Sequence, residues 1–313
     1  MRLQVVGLRL EAERIISVTL RRADGKPLPS WEPGAHITLT LPSGHVRQYS
    51  LCGPQDDMHT YTVAVLKVSA GRGGSREVHE RLRIGDLIEV SEPRNDFVLQ
   101  QAPYYLFLAG GIGITPVLAM IESLGAAGHQ DYRLIYGARN HAAMAFVDRL
   151  CAAGSGVVEL RPEDDTGLVD IAAALSASPS GTRVYCCGPP AMLAAVQEVS
   201  ADFPELPLHI ERFAAAPRDA ADDDTAFEVE LARTGSIVTV GVGETVLDAV
   251  LAVAPDTPYS CTAGFCGTCE TKVISGQVEH RDDLLTDQER AANASMMICV
   301  SRSRGGTKLT LDL

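Results

Sequence analysis

The chain has 313 residues, 46% of them hydrophobic and 21% charged, and a net charge of −13. That length calls for two or three domains, and the composition without low-complexity tracts rules out a disordered or fibrous class. The negative balance excludes nucleic acid and anionic membrane as expected partners. At the N-terminus, Arg9, Glu11 and Glu13 interrupt any apolar signal run. Eight cysteines without such a signal are expected to be reduced thiols of a cytoplasmic protein.

Residues 1–101 alternate short apolar runs with Gly and Pro turns: Ile15–Leu20, His36–Leu41, His45–Leu51, Thr60–Val65 and Leu87–Val90. Such spacing predicts a small antiparallel β-barrel. One run carries Arg47, Gln48, Tyr49 and Ser50, and Gly71-Arg72-Gly73-Gly74-Ser75 precedes a short helix. Arg47 alone reads as a surface arginine. Together with a glycine turn ending in Ser75 it makes a phosphomonoester site.

Residues 102–213 alternate strands with helices. Strands are expected at Tyr105–Ala109, Tyr132–Tyr136, Val157–Leu160, Arg183–Cys186 and Leu208–Ile210. Helices are expected at Pro116–Leu124, Met144–Cys151, Val169–Ala177 and Ala191–Ala201. This predicts a doubly wound parallel sheet that binds its ligand at the carboxyl ends of the strands. Tyr104 to Ile121 has no charge and is long enough for a membrane span. Its Gly110, Gly111, Gly113 and Pro116 favour a strand, a glycine turn and a helix instead. GGIGITP departs from the dinucleotide fingerprint, because Pro116 stands where the third glycine belongs. Exposed N–H groups there can still attract a pyrophosphate or a nicotinamide ribose. Cys187-Gly188-Pro189 ends the fourth strand on the same edge, and Cys186 is expected to point the other way into the core. Arg139, after the second strand, suits a pyrophosphate, a 2′-phosphate or plain solvent.

Residues 214–225 are polar and acidic and read as a linker. In 226–313 a hairpin is expected from Phe227–Leu231 and Ile237–Val242, a helix at Thr245–Ala254 and a strand at Thr271–Ile274. Between them stands CTAGFCGTC. Cys261, Cys266 and Cys269, followed at a distance by Cys299, have the spacing of a plant-type 2Fe–2S ferredoxin. Zinc prefers two paired knuckles, and here the fourth cysteine stands alone. Gly264 and Gly267 allow the loop to wrap closely. From Ala214 onward there are 16 acidic against 8 basic residues, which suits either solubility or an acidic docking face.

With these motifs in order along the whole chain, the sequence resembles the phthalate dioxygenase reductase family, which includes vanillate demethylase-type reductases. The resemblance implies a flavin barrel, an NAD domain and a C-terminal β-grasp ferredoxin domain. It assigns FMN to Arg47, Gln48, Tyr49, Ser50, Val65, Leu66, Lys67, Gly73, Gly74 and Ser75, with Phe213 near the flavin. NADH goes to Gly110, Gly111, Gly113, Thr115, Pro116, Arg139, Cys187, Gly188 and Pro189, with Thr115 and Cys187 beside the nicotinamide. Many relatives have a charged residue where Thr262 stands, so a tuned potential or partner contact is expected. The implied activity is hydride transfer from NADH to FMN, then single electrons through the cluster to a terminal oxygenase with a Rieske centre and non-haem iron. A haem monooxygenase partner and an FAD-dependent reductase remain open alternatives.

Overall fold

The computed structural model describes residues 1–68, 73–154, 156–213, 224–259, 261–265 and 267–313. The chain divides into two compact units, Met1–Phe213 and Ala214–Leu313.

The first unit begins with strands β1 (Arg2–Ala12), β2 (Ile15–Arg21), β3 (His36–Thr40), β4 (Val46–Ser50) and β5 (Thr60–Leu66). Helix α1 (Gly74–Glu80) and strand β6 (Leu87–Val90) follow. They form an antiparallel sheet in the order β4-β3-β6-β1-β2-β5. A bridge from Leu51 to Val63 joins its two edges, which closes the barrel and removes both sheet edges. Alternate residues of the strands, among them Leu3, Val5, Val18, Ile37, Leu39 and Val63, fill the inside. β1 was not among the expected runs. Its register shifts between Val5 and Gly7 and between Leu10 and Ala12, and each bulge resets the two-residue period that marks a strand.

Next come β7 (Tyr104–Gly110), α2 (Ile114–Ala126), β8 (Tyr132–Ala138), α3 (Val147–Ala152), β9 (Val157–Pro162), α4 (Glu163–Thr166), α5 (Ile171–Ser176), β10 (Thr182–Cys187), α6 (Pro190–Ser200) and β11 (Leu208–Glu211). The sheet order is β11-β10-β7-β8-β9, all parallel. Chain direction across the sheet reverses between β7 and β10, which is where such folds bind ligands. The uncharged stretch is β7, its glycine turn and half of α2. No helix among the described residues is long and apolar enough to cross a membrane. The helix expected from Met144 begins only at Val147, because Phe146 takes a left-handed φ of 62°. A residue in that conformation cannot continue a right-handed turn.

The barrel is fastened to this sheet by aromatic contacts. Tyr185 packs edge-on against Phe97 at 5.4 Å. Its hydroxyl accepts Gln100 N–H at 2.8 Å and donates to Val98 O at 3.1 Å. That seam fixes the barrel's exit segment on β10, so β4 and the end of β10 keep a set relation.

The second unit contains β12 (Phe227–Leu231), β13 (Ser236–Val240), α7 (Val246–Leu251), β14 (Glu270–Ser275), β15 (Val278–Glu279), α8 (Asp287–Ala292), β16 (Ser295–Met297), β17 (Arg302–Ser303) and β18 (Leu309–Leu311). Its main sheet runs β13-β12-β18-β14-β16. Thr245 caps α7 in a reciprocal capping box with Asp248, a motif worth about 1 kcal/mol. Asp224 and Thr225, placed in the linker by their sequence, are anchored here. Arg281 grips both Asp224 carboxylate oxygens, at 2.5 and 3.2 Å, and Arg302 donates to Thr225 O at 3.1 Å.

Candidate functional site

The cluster loop takes its shape from local packing. Cys269 and Cys299 are buried and Cys261 is half-buried; Cys266 lies outside the described residues. Contacts from the Cys261 and Cys269 thiols, together with burial, push the Cys299 thiol well up. The hydrogen bond from Cys299 in turn lowers Cys269. Several crowded thiols cannot ionise together unless metal cations supply the opposite charge. Among the described residues no three His, Cys, Asp or Glu side chains close on one metal ion. A binuclear cluster does not need them to, since it divides its thiolates between two irons. Ala263 N–H already points at Cys261 Sγ, 3.4 Å away. Behind the loop, Asp283 N–H donates to Gly264 O at 2.9 Å. A Cβ on Gly264 would lie 2.6 Å from Val300 Cγ2 and 3.1 Å from Asp282 Cα. The side chain of Asp282 is fully buried and accepts Leu285 N–H at 2.8 Å. The donor set and the cradle both fit a 2Fe–2S cluster.

In the first unit, the turns after β7 and β10 pack backbone against backbone. A Cβ on Gly113 would sit 2.1 Å from Cys187 O, and one on Gly110 would sit 2.5 Å from Pro189 Cδ. Gly188 is 3.2 Å from where the Gly110 Cβ would be. These glycines let two turns touch. Gly111 is different: nothing lies within 4 Å of its Cβ position, so it borders open space. Thr115 is buried and its hydroxyl donates back to Ile112 O at 3.0 Å. It therefore braces the turn from below. Pro116 occupies the first turn of α2, where a missing N–H costs nothing. Arg139 stands exposed at the end of β8, and its carbonyl accepts Asp164 N–H at 3.1 Å.

At the carboxyl end of β10 the two domains of this unit meet. Cys187 is fully buried and faces one core, while Cys186 faces the opposite one. The Cys187 thiol donates to Glu211 Oε2 at 3.9 Å. Burial pushes this thiol well up, and the Glu211 charge adds to the effect. Burial also pushes the Glu211 carboxyl up to about 8; the Asp96 charge adds to that, and Ser50 and Cys187 oppose it. Ser50 Oγ is buried without a hydrogen bond of ordinary geometry and faces this carboxyl. An orphaned hydroxyl at a cleft is what an absent polar ligand leaves behind. Phe213 lies two residues beyond Glu211 and is 38% exposed.

Within the barrel, β4 presents the expected flavin residues. A Cβ on Gly74 would lie 2.8 Å from Arg47 Nε, so the glycine turn rests on the arginine. Ser75 Oγ accepts Val68 N–H at 3.1 Å and keeps its own proton for another acceptor. Gly71 and Arg72 lie outside the described residues. Burial pushes the Tyr49 hydroxyl up to about 12, against Arg47 and with Glu77. Gln48 Nε2 lies 3.3 Å from His36 Nε2. At the end of β5, Val65 O meets His79 Nε2 at 2.8 Å. Leu66 is partly buried against the core shared with the sheet, and Lys67 pairs with Glu80 at 2.9 Å. Arg47, the glycine cradle and the orphaned Ser50 hydroxyl fit a flavin mononucleotide.

Glu211 is not singled out by any motif in the sequence. It stands two residues before Phe213, and its placement depends on β11 lying beside β10 at the sheet edge. No local pattern marks that placement.

A closed antiparallel barrel, a parallel nucleotide-type sheet and a thiolate loop in one chain define an electron-transferring oxidoreductase. Residues 107–198 match the oxidoreductase NAD-binding domain family and residues 229–304 the 2Fe–2S iron–sulfur cluster binding domain family. Vanillate O-demethylase oxidoreductase of Pseudomonas sp. is 41% identical over 315 residues, covering 99% of this chain and 98% of that protein. Phthalate dioxygenase reductase of Burkholderia cepacia is 36% identical, covering 100% of this chain and 97% of that one. A solved phthalate dioxygenase reductase structure superposes with a TM-score of 0.81 over all of this chain and 98% of its own. An intact type IV self-sufficient cytochrome P450 monooxygenase gives 0.82 at 42% identity, but the match spans only 41% of that protein. The chain belongs to the phthalate dioxygenase reductase family, a family of oxygenase reductases. The cofactor set is the family's: FMN, a 2Fe–2S cluster, and NADH as electron donor.

Proposed function

We propose that the chain oxidises NADH at the β7–β10 crevice and delivers its electrons, through FMN and the cluster, to a terminal oxygenase that docks near the cluster. Residues 1–101 hold FMN, 102–213 hold NADH, 214–225 link them to the rest, and 226–313 hold the cluster. The observation that carries this reading is the convergence of Ser50, Cys187 and Glu211 from two domains at one strand end. When bound, FMN accepts a hydride and passes electrons on singly, and the cluster carries them one at a time.

The chain's own residues bind, orient and exclude water. Arg47, Gly73, Gly74 and Ser75 hold the FMN phosphate. Tyr49, Gln48 and the backbone of Val65, Leu66 and Lys67 would hold the ring system. Gly111 and the turn braced by Gly110, Gly113, Thr115 and Pro116 receive the NADH ribose and pyrophosphate, with Gly188 and Pro189 opposite and Arg139 toward the adenosine end. Cys187 keeps its proton and gives the nicotinamide an apolar wall. Glu211, protonated at neutral pH, offers a hydrogen bond that an ionised carboxylate could not. Phe213, partly exposed beyond Glu211, would stand near the flavin. Cys261, Cys266, Cys269 and Cys299 ligate the cluster.

Docking is assigned to the lip of the cluster loop. Leu284 is 45% exposed and lies 3.1 Å from where a Cβ on Gly267 would be. Asp283 precedes it, and Asp287 and Glu289 follow it. An apolar spot with an acidic rim suits a basic partner surface. Electron delivery should then weaken as salt rises, and salt independence would remove this face from consideration.

A haem monooxygenase partner is the second reading, favoured by the 42% identity to part of a self-sufficient cytochrome P450. Reconstitution with one oxygenase of each kind separates the two. The first reading is tested by anaerobic titration with NADH, followed by absorption and electron spin resonance. Flavin bleaching with a rhombic reduced-cluster signal supports the internal route. Bleaching with the cluster left oxidised overturns it.

A further inference from the structure

The flavin cradle holds a basic side chain outside the RQYS and GRGGS segments. β4 leaves a tight turn in which Gly44 N–H donates to Leu41 O and Leu41 N–H to His45 O, both at 2.8 Å. His45 stands two residues before Arg47, so both side chains leave the same side of an extended chain. They press on adjacent glycines. A Cβ on Gly73 would lie 3.0 Å from His45 Nε2, and one on Gly74 would lie 2.8 Å from Arg47 Nε. Neighbouring Cα atoms are only about 3.8 Å apart, so the two basic groups flank one spot.

The imidazole is held from behind. Glu77 on α1 is buried, with 8% exposure. Its Oε1 accepts Ser43 N–H at 3.0 Å, and its Oε2 accepts the Ser43 hydroxyl. A carboxylate only accepts, so the Ser43 proton is committed to Glu77. Ser43 Oγ, 2.7 Å from His45 Nδ1, must then receive the Nδ1 proton. The series of carboxylate, hydroxyl and imidazole fixes the ring with Nε2 against Gly73.

We propose that His45, oriented by Ser43 and Glu77, is a second side-chain ligand of the FMN phosphate beside Arg47, meeting it through Nε2–H. The proposal rests on reading the barrel as the FMN site. A phosphate monoester carries nearly two negative charges at neutral pH. Arg47 matches one of them. His45 Nε2–H adds a directed donor beside it, on the side of the ring away from Ser43. No electron or covalent bond is involved.

The test compares FMN with riboflavin, which has the same ring system and no phosphate. The full chain, cluster intact and flavin removed, is titrated with each while flavin fluorescence is followed. His45→Ala should weaken FMN binding by about tenfold or more, the usual scale for one charge-assisted contact. It should leave riboflavin binding unchanged. Ser43→Ala should produce a smaller loss, again confined to FMN. Equal losses for both flavins would mean that His45 only supports the fold, and no loss for either would remove it from the site. Each result overturns the proposal while sparing the flavin reading. If the unaltered chain binds FMN no more tightly than riboflavin, the phosphate reading of the cradle fails as well.

Discussion

The cluster loop and the nicotinamide crevice do related work and are built in opposite ways. The loop draws three of its four thiols from nine consecutive residues, Cys261 to Cys269, and cradles them with backbone from Gly264 and Asp283. The crevice draws Ser50, Cys187 and Glu211 from three distant places and brings them together only through the packing of the barrel on the sheet and the β11-β10 pairing. A contiguous site depends on local backbone geometry, whereas a dispersed one depends on the whole unit being correctly packed. Lesions in the two should therefore behave differently. Cys299→Ser gives the largest effect: iron content and the spin signal vanish, while NADH still bleaches the flavin at its ordinary rate. Loss of flavin reduction together with the cluster would break the contrast, because it would make the first unit dependent on the second.

Gly113→Ala sharpens it from the other side. The added methyl would meet Cys187 O at 2.1 Å, and both turns would have to move, at a cost of about 1–3 kcal/mol or more. The first unit should melt earlier and NADH binding should fall, with the cluster retained. Gly111→Ala is its control. Its Cβ would enter open space at a φ of 54°, so backbone strain of about 1 kcal/mol should lower the melting temperature less than Gly113→Ala does, while the KM for NADH should rise. Unfolding monitored by circular dichroism, beside NADH kinetics, separates the two variants.

Glu211→Gln tests the polar centre of the crevice. Hydride transfer to the flavin should slow by about tenfold or more if Glu211 orients the nicotinamide, with FMN still bound. The pH dependence has a definite sign. The folded carboxyl sits near 8, above its unfolded value, so the folded state binds this proton more tightly. Stability from this group is present at low pH and is lost as pH rises toward 8. The Gln variant should lose that slope and gain on the natural chain as pH rises from about 4.5 to about 8, with no further gain above. Thermal melts across this range check it; equal slopes in the two proteins would mean that Glu211 is ionised throughout.

The same contrast explains what could be read from the sequence. Cysteine spacing, the RQYS run and the alternation of strands and helices all depend on neighbours in the chain, and the barrel, parallel sheet and cluster domain follow from them. β1 was hidden by its two bulges. β15 and β17, with two residues each, are too short to carry any period. The start of α3 turned on the single left-handed residue Phe146. No local pattern singles out Glu211, and His45 reads only as the first residue of the run His45–Leu51. Each gains its meaning from a partner far away in sequence: Cys187 and Ser50 for one, Gly73 and Glu77 for the other.

The smallest expected effect lies inside the local site. Thr262 holds a φ of 50°, a conformation that branched side chains avoid, and its hydroxyl donates to Cys261 O at 2.8 Å. This left-handed residue aims Ala263 N–H at Cys261 Sγ. Thr262→Gly relieves the strain but frees the unfolded chain and removes the hydroxyl, and these opposed changes are each of about 1 kcal/mol. Stability of the second unit should thus barely change. The aim of Ala263 N–H loses its constraint, so the cluster potential should fall slightly as one hydrogen bond to sulfur weakens. Thr262→Val keeps the strain and loses the hydroxyl, so it should cost stability outright. Redox titration followed by spin resonance, together with chemical unfolding, distinguishes the pair. If Gly destabilises the unit as much as Val does, the hydroxyl outweighs the backbone, and the loop is held by side-chain bonding as the crevice is.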